Sequence, residues 1–424
     1  MTEETSKAVD PDTVSIARHP IFDEKRRLWG YALHCVGAAY KVSADAAEAD
    51  NVAARLANSA YMGLQQILDR QKKVVINFSE KNILDDLPYA LPPDLTVVQA
   101  TEETFKHPSV APVLNQLKAD GYLLAVSNYS CRDDCDALYQ MADILSMDVS
   151  GQTKEVLSAA LDKARPYNPT LLAMRVESTE IFNRCLQMGF TLFHGPFFKT
   201  PDTIKVRKLS SNEMSRFQLM KAIQREDSDF TQLAESIQAD AALSFRLLSY
   251  LNSAAFGLRQ KIKSIHQAVS LLGWRKIKNW LRVVLLNDVN QSPDAPELMI
   301  LAAQRGKFLE QIAKDYSYWG FDPESLHMLG MFSLLDAMLG VPMSQVTEHL
   351  PLDDKLKSAL CGDPNNEYQP LLTLSVYFEE GRWQDAEEQI QKLNMDPDKV
   401  RRAFQQAVEW ADQLTSIHHQ EAKS

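Results

Sequence analysis

The chain has 424 residues, 45% of them hydrophobic and 24% charged, with a formal net charge of −11 at neutral pH. That length suits two domains, each able to bury its own core. The acidic balance offers no broad basic field to condense on a phosphate backbone, which argues against general nucleic-acid binding, and no apolar run reaches the length of a membrane span.

The opening MTEETSKAVDPD is acidic and polar, without the basic flank and apolar run of a signal peptide, so a cytoplasmic location is expected. Residues 1–12 are expected to form a disordered tail. From there to about residue 198, β-branched runs alternate with helical stretches, the rhythm of parallel strands joined by crossover helices. Strands are predicted at 74–78 (VVINF), 95–99 (LTVVQ), 122–126 (YLLAV), 144–149 (ILSMDV), 171–176 (LLAMRV) and 191–194. An amphipathic helix is predicted over 44–70. Strands that are apolar nearly throughout need cover on both faces, which favours a closed β/α barrel.

After Phe198 the polar, locally basic stretch KTPDTIKVRKLSSNEMSR marks a boundary, and beyond it the pattern is helix upon helix. The expected organisation is a barrel at 13–203, an all-α domain at 204–412 and a flexible tail at 413–424. The five cysteines are an odd number without paired Cys-x-x-Cys sets, so reduced thiols are expected. Cys131 and Cys135, four apart around Asp133 and Asp134, lack the further ligands of a closed metal site.

The first half also carries a family resemblance. ARHPIFD followed by GYALHCV resembles the opening of an EAL domain, the cyclic di-GMP phosphodiesterase family. VINFS, VVQATEE, GYLLAVSNYS, ADILSMD, LLAMRVES and GFTLFHGPFF follow in the family's order, from about Ser15 to Pro201. The resemblance implies a TIM-like (β/α) barrel whose strand ends hold two divalent cations, which activate water and neutralise the phosphodiester.

Residue by residue, the resemblance puts the signature Glu on Ala32 and the phosphate-binding Arg on Val36. A metal-binding Glu falls on Gln99, the Asp-Asp pair on Ser127 and Asn128, the catalytic Lys on Ser146, the first Glu of the sixth-strand motif on Met174, and the Gln before the closing Gly on His194. Asn77, Glu102, Asp148 and Glu177 are what survives. These losses strike metal binding, water activation and phosphate clamping together, so catalytic residues, bound metal and cofactors are all expected to be none. Binding of cyclic di-GMP without hydrolysis is weakened by the loss of the Arg, because charge-assisted contacts carry phosphate affinity. The four survivors read either as site remnants or as side chains that hydrogen-bond strand ends and loops. Arg18 reads as paired with a neighbouring carboxylate, with contact to a partner or ligand as the competing reading, and His19 and His194 read as pocket-lining or core side chains.

The run SIQADAALSFRLLSYLNSAAFGLRQKIKSIHQAVSLLGWRKIKNWL resembles the HDOD domain, a relative of HD-type metal phosphohydrolases. Asp240, Asn252 with Ser253, Ser264 to Ala268, and Leu272 with Gly273 match its hallmarks. Where related hydrolases carry adjacent metal-binding His and Asp, the stretch MLGMFSLLDAMLG offers Ser333 and Leu334, with Asp336 two positions on. Trp274, Trp280, Trp319, Trp383 and Trp410 fit core packing, and an interaction surface is the competing reading.

The combined expectation is a degenerate EAL barrel acting as scaffold or sensor, joined to an HDOD domain that binds protein partners in a bacterial signalling pathway. A cyclic di-GMP phosphodiesterase and a non-hydrolysing cyclic di-GMP receptor are the alternatives.

Overall fold

The structure, a computed structural model, describes residues 15–36, 72–199, 216, 267, 281, 294–317, 320–348, 350 and 352–421. The helix expected at 44–70, the HDOD hallmark positions from Asp240 to Gly273 apart from Gln267, and Trp274, Trp280 and Trp319 lie outside these residues.

Eight strands close into a barrel in sequence order: β1 (Ser15–Asp23), β2 (Leu28–Val36), β3 (Lys73–Asn77), β4 (Thr96–Thr101), β5 (Leu123–Ser127), β6 (Ile144–Asp148), β7 (Thr170–Met174) and β8 (Leu192–His194). All six strands predicted from apolar runs are present, within one or two residues at their ends. β1 departs from the parallel pattern by running antiparallel to both β2 and β8. The link between β1 and β2 is too short for a crossover, so the two strands must form a hairpin. Asp23 closes that turn, accepting from the backbone N–H of Lys25 (2.8 Å) and Arg27 (2.9 Å).

The β2–β3 pair is drawn close at Gly30, where a Cβ would stand 2.4 Å from the carbonyl oxygen of Lys73. One apolar residue per strand points inward: Ile21, Ala32, Val75, Val97, Ala125, Ile144, Leu172 and Leu192. Each excludes water from the barrel centre at about 1.5–3 kcal/mol for the larger side chains. The opposite faces of β3, β5, β6 and β8 are also buried, through Val74, Leu124, Leu145 and Phe193, which is why these strands read as continuous apolar runs.

Around the barrel lie α1 (Glu80–Leu84), α2 (Val110–Ala119), α3 (Asp136–Met141), α4 (Lys154–Ala164) and α5 (Thr179–Met188). Ser79, Thr153 and Ser178 cap α1, α4 and α5 by accepting from the backbone N–H three residues on.

Past residue 293 the described elements are helical: α6 (Ala295–Asp315), α7 (Pro323–Phe332), α8 (Leu335–Leu339), α9 (Met343–Thr347), α10 (Asp354–Leu360), α11 (Gln369–Glu379), α12 (Trp383–Lys392) and α13 (Pro397–Glu421). The tail expected at 413–424 is helical through Glu421, as the continuation of α13. By internal contacts the chain divides into two compact units, Met1–Phe198 with Val376–Gln405, and Lys199–Ser375 with Gln406–Ser424. The sequence division counted residues 376–405 with the helical domain, whereas their contacts group them with the barrel.

Within the second unit α6 crosses α7 at two glycines. A Cβ on Gly330 would stand 2.3 Å from the backbone nitrogen of Gly306. Glu310 of α6 is buried near this crossing, with Lys307 Nζ at 3.1 Å and His327 Nδ1 at 3.4 Å, and is also paired with Lys314. Burial alone would raise its pKa, but the hydrogen bonds and charges of His327, Lys314 and Lys307 prevail and hold it well below the usual glutamate range. A carboxylate whose folded pKa lies below its unfolded value stabilises above the unfolded value, about 4.3, and loses that contribution as pH falls. Melting temperatures taken from about pH 6 down to about pH 3 should therefore fall more steeply for the native chain than for Glu310→Gln. Parallel profiles would refute the assignment.

Candidate functional site

In a β/α barrel, side chains that can meet a ligand stand at the C-terminal ends of the parallel strands. Strand alternation fixes which residues reach that rim from the inside. Two positions beyond the inward-facing Val75, Val97, Ala125, Ile144, Leu172 and Leu192 lie Asn77, Gln99, Ser127, Ser146, Met174 and His194. Asp148 follows Ser146 on the same face of β6, and β1, running the other way, contributes His19. One barrel rim thus collects most of the site positions that sequence comparison singled out.

Ala32 does not reach this rim as a ligand would. It is 7% exposed and packed in the apolar centre, and its backbone is in register with Val75 on one side and His19 on the other. Asn77 is in register with Gln99, and its buried Oδ1 has no hydrogen-bond partner among the described residues. Ser127 Oγ donates to the Ala100 carbonyl (3.4 Å). Ser146 is fully buried; its Oγ donates to the Val126 carbonyl (3.0 Å) and accepts from the backbone N–H of Asn128 (3.2 Å), a residue held in the left-handed region. The Ser146 hydroxyl thus ties β5 to β6.

The three surviving carboxylates are engaged by their neighbours. Glu102, 8% exposed, accepts from the Ser130 backbone N–H (2.8 Å), Ser130 Oγ (2.6 Å) and Tyr139 Oη (2.6 Å), while Tyr139 Oη accepts from the Arg132 backbone N–H (3.1 Å). This network pins the loop after β5. Burial and the Glu102 hydrogen bond push the Tyr139 phenol strongly upward, so it stays a donor. Asp148 accepts from the Ser150 backbone N–H (3.0 Å) and is ion-paired with Arg175, whose own pKa that hydrogen bond raises. Glu177, exposed, accepts from Ser150 Oγ (2.8 Å).

The partners Ser130, Tyr139, Ser150 and Arg175 were not singled out by sequence reasoning. They lie 27 to 37 residues from Glu102, Asp148 and Glu177 along the chain, or two residues away with no motif to mark them. Replacing Glu102 by Ala should cost about 3 kcal/mol, since it strands a buried phenol and a backbone donor at once. Thermal unfolding checks this, with Glu102→Gln expected to lose less because it keeps an acceptor; equal melting temperatures for native and Ala forms would contradict it.

A two-cation centre needs several unencumbered carboxylate oxygens. The rim offers Asp148 already facing a guanidinium, a neutral amide at Asn77 and Gln99, hydroxyls at Ser127 and Ser146, and a thioether at Met174. Among the described residues no group of three or more His, Cys, Asp or Glu could hold a metal ion. A pocket of about 540 Å³ beside the rim is lined by Asn128, Tyr129, Cys131, Asp148, Gln152 and Lys163 among others, and Asp148 is its sole carboxylate. Burial pushes the Cys135 and Cys185 thiols upward, so neither is an activated nucleophile.

In the second unit, Ser333 Oγ accepts from Arg305 Nη1 (3.0 Å) and donates to the Gly330 carbonyl (2.7 Å). Burial pushes the Asp336 carboxyl upward, which favours its neutral form. Trp383 is buried, as core packing requires, and Trp410 meets His327 edge to face at 5.7 Å.

The described fold is a closed eight-stranded barrel of TIM type followed by a helical region, and the HDOD domain profile matches residues 211–349 of that region. Over nearly its whole length the chain is similar to two bacterial proteins. One is the uncharacterized protein YuxH of Bacillus subtilis, 29% identical over 413 residues, covering 95% of this chain and 98% of YuxH. The other is the cyclic di-GMP phosphodiesterase CdgJ of Vibrio cholerae, 28% identical over 416 residues, covering 96% of this chain and 94% of CdgJ. Among solved structures, the PaMucR phosphodiesterase in complex with cyclic di-GMP aligns with 43% of this chain and 89% of its own, at a TM-score of 0.33 and 15% identity. No described helix is long and apolar enough to cross a membrane.

Proposed function

We propose that this chain is a non-hydrolysing regulator of bacterial cyclic di-GMP signalling, in which a degenerate EAL-like barrel serves as scaffold or sensor and the HDOD region contacts protein partners in the cytoplasm. One observation carries the reading. The rim positions that would supply anionic ligands are Gln99, Ser127, Asn128 and Met174, Ala32 is sunk in the core, and the surviving Glu102, Asp148 and Glu177 are bonded to loops. Such a rim can hold the barrel's shape without performing metal-dependent hydrolysis. The second reading, a cyclic di-GMP phosphodiesterase, is favoured by the similarity to CdgJ over nearly the whole chain.

Affinity purification of the full chain from its native cell, beside calorimetry with cyclic di-GMP, separates the two. Specific protein partners with no heat of dinucleotide binding support the regulator, whereas binding followed by turnover supports the enzyme. Binding without turnover would favour the other alternative, a non-hydrolysing cyclic di-GMP receptor.

A further inference from the structure

We propose that residues 376–405 are a built-in cap on the His19–His194 side of the barrel rim, and that this side becomes accessible to a ligand only when the turn at Gly381 lifts off His19. The proposal goes beyond the regulator reading and does not depend on whether the barrel hydrolyses anything.

The argument begins with the turn. Helix α11 ends in a glycine-terminated motif: the Arg382 backbone N–H donates to the Tyr377 carbonyl (2.9 Å), the Gly381 backbone N–H to that of Phe378 (3.4 Å), and Gly381 adopts φ +64°. The Arg382 guanidinium covers the Tyr377 ring at 4.5 Å, fixing the exit. Helix α12 then starts at Trp383, so the chain reverses in a tight helical hairpin. That hairpin packs on α13 through a small aromatic core. Phe378 meets Trp383 edge to face at 5.7 Å and Phe404 at 4.9 Å, and all three rings are buried. A packed, tightly turned element of this kind moves as one body.

What the tip touches gives the hairpin its role. A Cβ built on Gly381 stands 3.5 Å from His19 Cε1 and 3.7 Å from His19 Nε2. His19 lies on the same face of β1 as the inward-pointing Ile21, and its ring is 5.5 Å from that of His194, the inward residue ending β8. It is also in register with Ala32, the signature position of the EAL resemblance. The hairpin tip therefore rests on the inner rim of the barrel, and contact grouping joins residues 376–405 to the barrel.

The space at the tip also grades what the contact tolerates. An alanine Cβ would sit at ordinary contact distance from His19 and from Trp383 Nε1 (3.6 Å), whereas anything longer must displace one of these rings or the turn. Both substitutions carry the same backbone penalty, about 1 kcal/mol for an L residue in this region, so the pair isolates the contact from the strain.

The experiment uses the full chain and reads carbethoxylation of individual histidines by mass spectrometry. In Gly381→Phe, His19 and His194 should be modified about tenfold faster than in the native chain, Gly381→Ala should stay near native, and His107, 44% exposed, should be unchanged in all three. Native rates in a folded Gly381→Phe, or equal acceleration in Ala and Phe, would overturn the proposal. Should the Phe variant not fold, the reciprocal change His19→Ala serves: amide exchange over 376–392 should quicken about tenfold while β3 to β7 stay protected, and unchanged exchange would equally overturn it.

Discussion

Incubated with cyclic di-GMP and either magnesium or manganese, the purified full chain should release no linear dinucleotide above a buffer blank. The expected deficit against a competent enzyme is on the order of a million-fold or more, the scale of acceleration that metal-assisted catalysis supplies. In-line attack on a phosphodiester needs a cation to lower the pKa of water and another to take up charge on the leaving oxygen. On the regulator reading Gln99, Ser127, Asn128 and Met174 supply no anionic oxygen for that pair, and Asp148 is paired with Arg175. Restoring one acid should not restore turnover, because residues that act on one step fail together. Ala32→Glu illustrates why: it would place a carboxylate among Val75, Val97 and their neighbours, where an unpaired charge costs several kcal/mol. The variant should melt lower and remain inactive. Turnover that vanishes on substituting Asn77 would sink this account, and hydrolysis regained by Ala32→Glu alone would show that the degeneration is shallower than argued.

Adding a single methyl group at Gly330 should be among the most damaging small changes available to this chain. Helices α6 and α7 approach so closely there that the new carbon would lie 2.3 Å from the Gly306 nitrogen and 2.4 Å from the Arg305 carbonyl carbon. These are backbone atoms with no rotamer to yield, so the helices must separate. Overpacking of this kind costs about 3 kcal/mol. In a unit of this size that corresponds to roughly 6–12 °C in the melting transition. Separation would also pull Ser333 from Arg305 and Glu310 from His327, interactions that join the same two helices. Calorimetry of Gly330→Ala against the native chain tests this; Gly330 is helical and Ala is the better helix former, so a lowered transition reports the crossing and not backbone strain. A Gly330→Ala transition as high as the native one would mean that the crossing is looser than described.

Much of the barrel was legible in the sequence because its cause is local. Val74 to Ile76, Val97 with Val98, and Leu124 to Val126 are apolar on both faces of the strand, a composition that only a sheet covered on both sides can bury. The uncharged character of Gln99, Ser127, Asn128 and Met174 was equally plain, since side-chain chemistry can be read wherever a residue lies. The antiparallel course of β1 was less visible: Arg18 and His19 interrupt its apolar pattern, and its direction follows from a turn that Asp23 closes.

Tertiary structure decided what the remaining groups do. Glu102 reads identically in sequence whether it holds a cation or a loop, and the matter turns on Ser130 and Tyr139, brought in from 28 and 37 residues away. Asp148 likewise acquires its meaning from Arg175, and Ser333 from Arg305. The grouping of residues 376–405 with the barrel is furthest from any local signal. Tyr377 to Trp383 encode a helix end and a turn, but that the tip rests on His19, more than three hundred and fifty residues earlier, depends on a pairing that no periodicity records. Short-range propensity and patterning determine which elements form and which faces they bury, whereas the partner of a polar side chain is chosen by the closed chain, because hydrogen bonds and ion pairs depend on distances that exist only after folding.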